Sequence, residues 1–252
     1  MHPNPLTIIG NHISPFVRKV LTICEIKQLP YQLDSIVPFF GNEEFARLSP
    51  LRRIPVMIDG DVVLTDSTVI CEYLEDRWPQ TPVLPREPAA RGQARFLDAY
   101  ANSRMSDVLL WKVFGRALVA PAIFKTPRDL DAIRKTMTEE FPAVMDQLES
   151  WAPAHGFTLG ATAGLADLSV ASHFANLRWA RQTADAARWP RTASWVNRIE
   201  QATPLGKLNS IGGKMLQVPP DGHRAALISL GVAVTAESVG GPEPKRGPMT
   251  VI

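Results

Sequence analysis

The hydrophobic period of this chain alternates between two and 3.6 through its first eighty residues, then stays helical beyond a run of prolines. Few folds accept that order. "LTIIG" (Leu6 to Gly10) is a short apolar strand, and Pro15 to Ile26 sets Phe16, Val17, Val20, Leu21, Ile23 and Cys24 along a helical stripe. "YQLDSIV" (Tyr31 to Val37) alternates as a strand, and "EEFARLSP" is a short helical stretch closed by Pro50. "IPVMI" and "DVVLT" flank Asp59-Gly60-Asp61, and Asp-Gly between two β-rich runs marks a hairpin. Ser67 to Trp78 returns to helix. The order βαβαββα requires strands joined through helices to lie parallel by right-handed crossover, with the last hairpin adding an antiparallel edge. The chain is therefore expected to form a small mixed sheet with helices on its faces.

"PQTPVLPREP", residues 79 to 88, cannot be helix or central strand and reads as a semi-rigid linker. Past it the pattern is helical to about residue 215. Ala89 to Leu118 forms one long segment, Asp129 to Trp151 a second, Leu165 to Ala180 a strongly apolar third and Thr192 to Ala202 a shorter fourth. The division expected is therefore an α/β domain over 1–79, a linker over 80–88, an all-α domain over 89–214 and an extension over 215–252. Within the extension, "RAALISLGVAVTAE" suits a helix, a strand or an arm laid on a partner subunit, and "GGPEPKRGP" is turn-rich.

Several function classes are excluded at this level. With 27 basic and 25 acidic side chains, the chain offers neither nucleic acid nor an anionic membrane an electrostatic handle. No apolar run approaches the roughly 18 residues of a membrane span. "MHPNPLTIIG" lacks the basic start and long apolar run of a signal peptide, so a cytoplasmic protein is expected. The two cysteines, Cys24 and Cys71, sit inside apolar helical patterns and read as buried thiols. There is no C-x-x-C and no His/Cys cluster at metal spacing, so no metal is expected.

Three short motifs carry chemistry. In "NHISPFVRKV", Ser14-Pro15 suits the N-cap and first position of a helix. Capping alone accounts for a serine there. A helix that starts at the carboxyl end of a strand is also where open α/β sheets bind ligands, and its positive end stabilises an anion such as a thiolate. In "RRIPVM", Ile54-Pro55 opens a strand; a cis bond would turn the Ile54 backbone outward to pair with an extended peptide, whereas a trans proline would simply begin an edge strand. In "LTDSTVICEYLEDRWP", Asp66-Ser67 sits between strand and helix. It is either a cap, or a carboxylate and a hydroxyl facing the two charges of an amino-acid end group.

Taken together, βαβαββα with Ile-Pro before the third strand, Asp-Ser before the third helix, a proline-rich linker and a helical domain resembles the cytosolic glutathione transferases over about residues 5 to 212. The resemblance implies a thioredoxin-like N-terminal domain, an all-α C-terminal domain, a homodimer, a role in detoxification, and glutathione as co-substrate with an electrophilic small molecule as its partner. It implies that Ser14 holds the glutathione sulfur, that Ile54 pairs with the cysteinyl backbone beside Pro55, and that Asp66 and Ser67 bind the γ-glutamyl end. Arg53 is the candidate for the glycyl carboxylate. "GLADLSVASHF" resembles the family's capping box and buried aspartate, which makes Asp167 structural; Gly164 departs from the usual Ser or Thr cap. Serine at position 14, unlike cysteine, cannot form mixed disulfides, and this favours conjugation over thiol transfer. Isomerase, dehalogenase and ether-cleaving variants use the same thiolate, and a binding protein without turnover is the rival from another class. Met105, Trp111, Phe114, Arg104 and Phe40 are candidates to line the second-substrate site, though Met105, Trp111 and Phe114 equally fit a core stripe. His12 is close in sequence and could serve Ser14 as a base, but no G-x-S-x-G elbow surrounds Ser14, and a lone histidine in a loop is usually just solvated.

Overall fold

The computed structural model describes residues 5–158 and 160–248, which pack as two compact units: residues 5–81 with 207–248, and residues 82–206. The first unit contains β1 (Leu6–Ile9), α1 (Pro15–Ile26), β2 (Tyr31–Asp34), α2 (Glu43–Leu48), β3 (Val56–Asp59), β4 (Val62–Thr65) and α3 (Ser67–Arg77). The sheet order is β2-β1-β3-β4, with β1 parallel to β2 and both other pairings antiparallel. This is the mixed sheet that the βαβαββα order demands. β1 is central: Leu6, Ile8 and Ile9 are buried, so the strand loses the polar alternation that a half-exposed strand keeps.

The strand register positions the candidate residues. Ile9 pairs with Asp34 on one side and Val56 on the other, and Val56 pairs with Thr65. Asp34, Ile9, Val56 and Thr65 thus form one row across the sheet, about 14 Å long at the usual strand spacing. The carboxyl ends of β1, β2 and β4 and the amino end of β3 all open at this row.

A buried ammonium ties the first unit together. Lys27, just past α1, donates to Glu75 Oε2 at 2.8 Å, Trp78 O at 2.8 Å and Thr81 O at 2.7 Å. All three of its donors are used, and its side chain is 1% exposed. The end of α1 is thereby fixed to the end of α3 and to the start of the proline-rich segment.

The second unit is helical. α4 (Pro88–Tyr100) runs on through Ala101–Val119, where the bonding widens toward i→i+5, into α5 (Ala120–Phe124). α6 (Leu130–Glu139), α7 (Phe141–Trp151), α8 (Leu165–Trp179) and α9 (Pro190–Ala202) follow. The single helix expected over 129–151 is two helices. Pro142 lies in the first turn of α7, where its missing N–H does no harm; in one continuous helix it would interrupt the ladder. α8 is buried on nearly every face, as its apolar pattern predicts. α10 (Leu205–Met215) and α11 (His223–Ser229) lead into the extension. No described helix is long and apolar enough to cross a membrane.

Candidate functional site

The β1–α1 connection is built to hold Ser14 in one place. Gly10 has φ +151°, and a Cβ there would stand 2.6 Å from Val17 Cγ2 and 3.3 Å from Ile54 Cβ, so only glycine fits. Asn11 Oδ1 accepts the Ile13 N–H at 2.9 Å, while Asn11 Nδ2 donates to Ile36 O at 2.7 Å. Arg18, fully buried one turn into α1, donates from Nη1 to His12 O at 2.6 Å and Ile13 O at 2.8 Å. Ser14 is the N-cap: its Oγ accepts the Val17 N–H at 3.3 Å, with Pro15 in the first helical position. Capping uses an oxygen lone pair only. The Ser14 O–H has no acceptor among the described residues, so the same hydroxyl caps the helix and retains a proton to donate.

Ile54 and Ser67 open onto the same row. The Ile54–Pro55 peptide is cis. Ile54 is 8% exposed, yet neither its N–H nor its C=O has a hydrogen-bond partner among the described residues. A nearly buried backbone pair left open is rare unless something else completes it. At β4, Asp66 is the N-cap of α3 and accepts Thr68 N–H at 2.8 Å and Val69 N–H at 3.3 Å through Oδ1. Its φ of +75° is a strained conformation for a non-glycine residue, costing about 1–3 kcal/mol. The strain turns the chain so that Ser67 enters the helix buried, with its hydroxyl unpartnered among the described residues. Arg53 is exposed, and its guanidinium has no described partner; its backbone N–H and C=O both bond the Ser49 hydroxyl. Ser14, Ile54, Asp66 and Ser67 therefore all stand within one to five residues of the Ile9–Val56–Thr65 row.

Two sulfurs and one imidazole are excluded from this chemistry. Cys24 and Cys71 are buried and unbonded to each other, and burial pushes the Cys24 thiol up to about 12, so it is no nucleophile at neutral pH. His12 is fully buried, and neither ring nitrogen has a hydrogen-bond partner among the described residues, so it makes no hydrogen bond to the Ser14 hydroxyl. Burial first, then the charges of Arg18 and Lys207, lower its pKa from 6.5 to about 3. The unfolded chain protonates this imidazole near 6.5 and the folded chain does not until about 3, so stability falls as pH drops through that window, by about 1.4 kcal/mol per unit. His12→Phe removes this contribution. Urea midpoints at pH 7.5 and 4.5 should show the wild type losing about 2.5 kcal/mol more than the variant; equal losses would contradict the buried neutral imidazole.

In the helical unit, Asp167 has the structural place expected of it. It is 2% exposed; Oδ1 accepts Thr158 N–H at 3.0 Å, the Thr158 hydroxyl at 2.8 Å and Trp195 Nε1–H at 2.7 Å, and Oδ2 accepts Gly164 N–H at 3.0 Å. The glycine cap also has its reason: a Cβ on residue 164 would lie 2.7 Å from Val83 O, which accepts the Leu165 N–H. Met105 and Phe114 are buried in the core of this unit, while Arg104 is on its surface, paired with Asp107 and Glu140. No group of His, Cys, Asp and Glu among the described residues could hold a metal ion.

Sequence reading missed Arg18, Lys27 and Asp34. Asp34 ends β2 and is 3% exposed; it accepts the Ser238 hydroxyl at 2.6 Å and the Val239 N–H at 2.8 Å, some two hundred residues away. Only its position at the end of an apolar strand could have drawn notice.

Residues 8–82 match the glutathione S-transferase N-terminal domain model. The chain is 38% identical over 80 residues to a stringent starvation protein A homolog of Haemophilus ducreyi, a match spanning 32% of this chain and 37% of that protein. It is 27% identical over 167 residues to glutathione S-transferase U3 of Arabidopsis thaliana, 66% of this chain and 68% of the other. The match to the first of these relatives thus spans little more than a third of its length. A glutathione transferase homolog from Drosophila mojavensis, solved with bound glutathione, superposes with a TM-score of 0.69 at 22% identity, over 87% of this chain and 97% of that one, and establishes the fold.

Proposed function

We propose that this chain, whose residues 8–82 match the glutathione S-transferase N-terminal domain and whose fold is that of a solved glutathione transferase homolog, is a glutathione transferase. One observation carries the reading: the helix cap at Ser14 keeps an undonated hydroxyl proton at the start of α1, beside an Ile54 backbone with open hydrogen-bonding groups. Bound glutathione supplies a nucleophilic sulfur. The Ser14 hydroxyl donates to that sulfur, and the N-terminus of α1 favours its negative charge. Ile54 N–H and C=O bond the cysteinyl backbone, Ser67 and the first turn of α3 receive the γ-glutamyl carboxylate, and Asp66 faces its ammonium. Arg53 meets the glycyl carboxylate. A free thiol near pKa 8.5 must drop about two units to be largely ionised at neutral pH, which is about 2.7 kcal/mol. One charge-assisted hydrogen bond plus a helix terminus supplies that amount.

The sulfur, its proton released to solvent, forms a bond to an electrophilic carbon of a small molecule; a halide or alkoxide on that carbon departs with the bonding electron pair in the dehalogenase and ether-cleaving outcomes, whereas in an isomerase the sulfur adds to a double bond and is itself expelled afterwards. A homodimer in the cytoplasm belongs to the same proposal, and light scattering reads the dimer. The rival is a binding protein without turnover, favoured by the higher identity to a stringent starvation protein than to the transferases. Retention on immobilised glutathione, a thiolate absorbance band on binding and conjugation within a panel of electrophiles support the transferase. Retention with no band and no turnover supports the rival.

A further inference from the structure

The extension is part of the first unit. Its strand-like stretch lies along the free side of β2: Leu33 N–H donates to Ala233 O at 2.9 Å and Thr235 N–H to Leu33 O at 3.2 Å, in parallel pairing. It then turns at the Asp34 carboxylate, which holds Ser238 and Val239, and crosses the irregular segment between β2 and α2. There Asn42 N–H donates to Val239 O at 2.9 Å, Gly241 N–H to Phe40 O, and Lys245 N–H to Phe39 O at 2.7 Å, while Lys245 Nζ reaches Glu43 at 2.6 Å. Gly41 pairs with Gly240 in this crossing. A Cβ on Gly41 would stand 2.0 Å from the Phe45 ring, so the segment lies flat on α2.

The contacts continue toward the site. Asn42 Oδ1 caps α2 through Phe45 N–H at 3.0 Å. Arg52, at φ +52°, donates from Nη2 to Gly41 O and places its guanidinium over the Phe45 ring. Arg52 N–H donates to Ser49 O at 2.8 Å, and the Ser49 hydroxyl holds both backbone groups of Arg53. Ile54 is the next residue. A hydrogen-bonded path thus runs from Asp34 and the extension through 39–42 and Arg52 to the Arg53–Ile54 corner.

We propose that residues 233–245, latched on Asp34, position the Arg53 corner and so set the grip on the glycyl end of glutathione; this rests on the proposed binding of glutathione at Ser14, Ile54 and Ser67. Asp34 and Val239 are positioning residues, since neither is assigned a contact with the tripeptide. Without the latch the 35–53 segment loses its bonds to the extension and rests on side-chain bonds such as Asn11 to Ile36 and Arg52 to Gly41. The sulfur and γ-glutamyl contacts, at Ser14 and at Asp66–Ser67, lie off this path.

The test compares calorimetric binding of glutathione with that of γ-glutamylcysteine, which lacks the glycine, to the full chain. Wild type is expected to favour glutathione about tenfold. Val239→Pro removes the N–H that the latch accepts, at a half-buried position outside the core, and should shrink the preference to within about twofold. Affinity for γ-glutamylcysteine, which keeps the Ile54 contact but has no glycyl carboxylate, should fall less than that for glutathione, and the pKa of the bound thiol should stay unchanged. Asp34→Ala should act alike, and Asp34→Asn, which still offers one acceptor, should restore part of the preference. Thermal unfolding identifies any variant that has lost its fold, and a folded Ser238→Ala, which removes the other latch donor, then replaces it. A folded Val239→Pro or Ser238→Ala that keeps the tenfold preference overturns the proposal and leaves the glutathione reading intact. So does a wild type that binds both peptides equally. A wild type that binds neither removes the reading and the proposal together.

Discussion

Ser14→Ala is expected to cut conjugation at pH 7 by about thirty-fold and to restore most of it above pH 9, because the thiol of bound glutathione returns toward its free pKa. The capping role of this hydroxyl and its proposed role as donor to the glutathione sulfur separate in measurement. As a cap it accepts the Val17 N–H, and losing that costs about 1 kcal/mol of stability at every pH. In its proposed role as donor it would stabilise only the ionised sulfur, so its loss should appear in the pH profile of kcat/KM and in the thiolate band. Ser14→Thr keeps both roles and should retain most activity. An alanine variant with an unshifted pH profile would mean that the helix terminus alone ionises the sulfur, and the role given to the hydroxyl would fall. Glutathione affinity measured at low pH, where the thiol is neutral, should be nearly unchanged.

Asp167→Ala is expected to remove about 4 kcal/mol or more of stability, a large part of the 5–15 kcal/mol typical of a folded domain. The carboxylate accepts four hydrogen bonds from Thr158, Gly164 and Trp195, and an alanine leaves these donors facing a void. Asp167→Asn keeps the shape but turns an amide NH2 toward one set of N–H donors, and should lose roughly half as much. Urea unfolding of both variants gives the ordering; a loss under about 1 kcal/mol for alanine would show that water replaces the carboxylate cheaply.

The outline of the fold was legible where the chemistry is local. Gly60 in an Asp-Gly hairpin, Pro55 ahead of a strand, and Ser14, Asp66 and Asp129 ahead of helices each announce an element boundary within a few residues. The proposed site residues stand at those boundaries, and so they could be named. Arg18, Lys27 and Asp34 could not. Lys27 takes partners about fifty residues away and Asp34 about two hundred, and no period in the sequence encodes such pairings. Pro142 was visible but was read as internal to one helix, where it begins a new one. "RAALISLGVAVTAE" fitted helix and strand alike because it begins as helix and ends as extended chain: α11 stops before Gly231, at φ +76°, and the chain then makes a single parallel bridge from Val234 to Leu33 of β2.

The covered flank of β2 leaves the sheet lopsided. β4 bounds the opposite flank, with Val62 and Val63 exposed at 38% and 43%. A sheet with two bare margins can recruit copies of itself without limit, which is the geometry of filaments. Here residues 233–235 of the same chain have already taken one margin. Any association by strand addition must then use β4 on both molecules and stop at a pair, so growth is self-terminating.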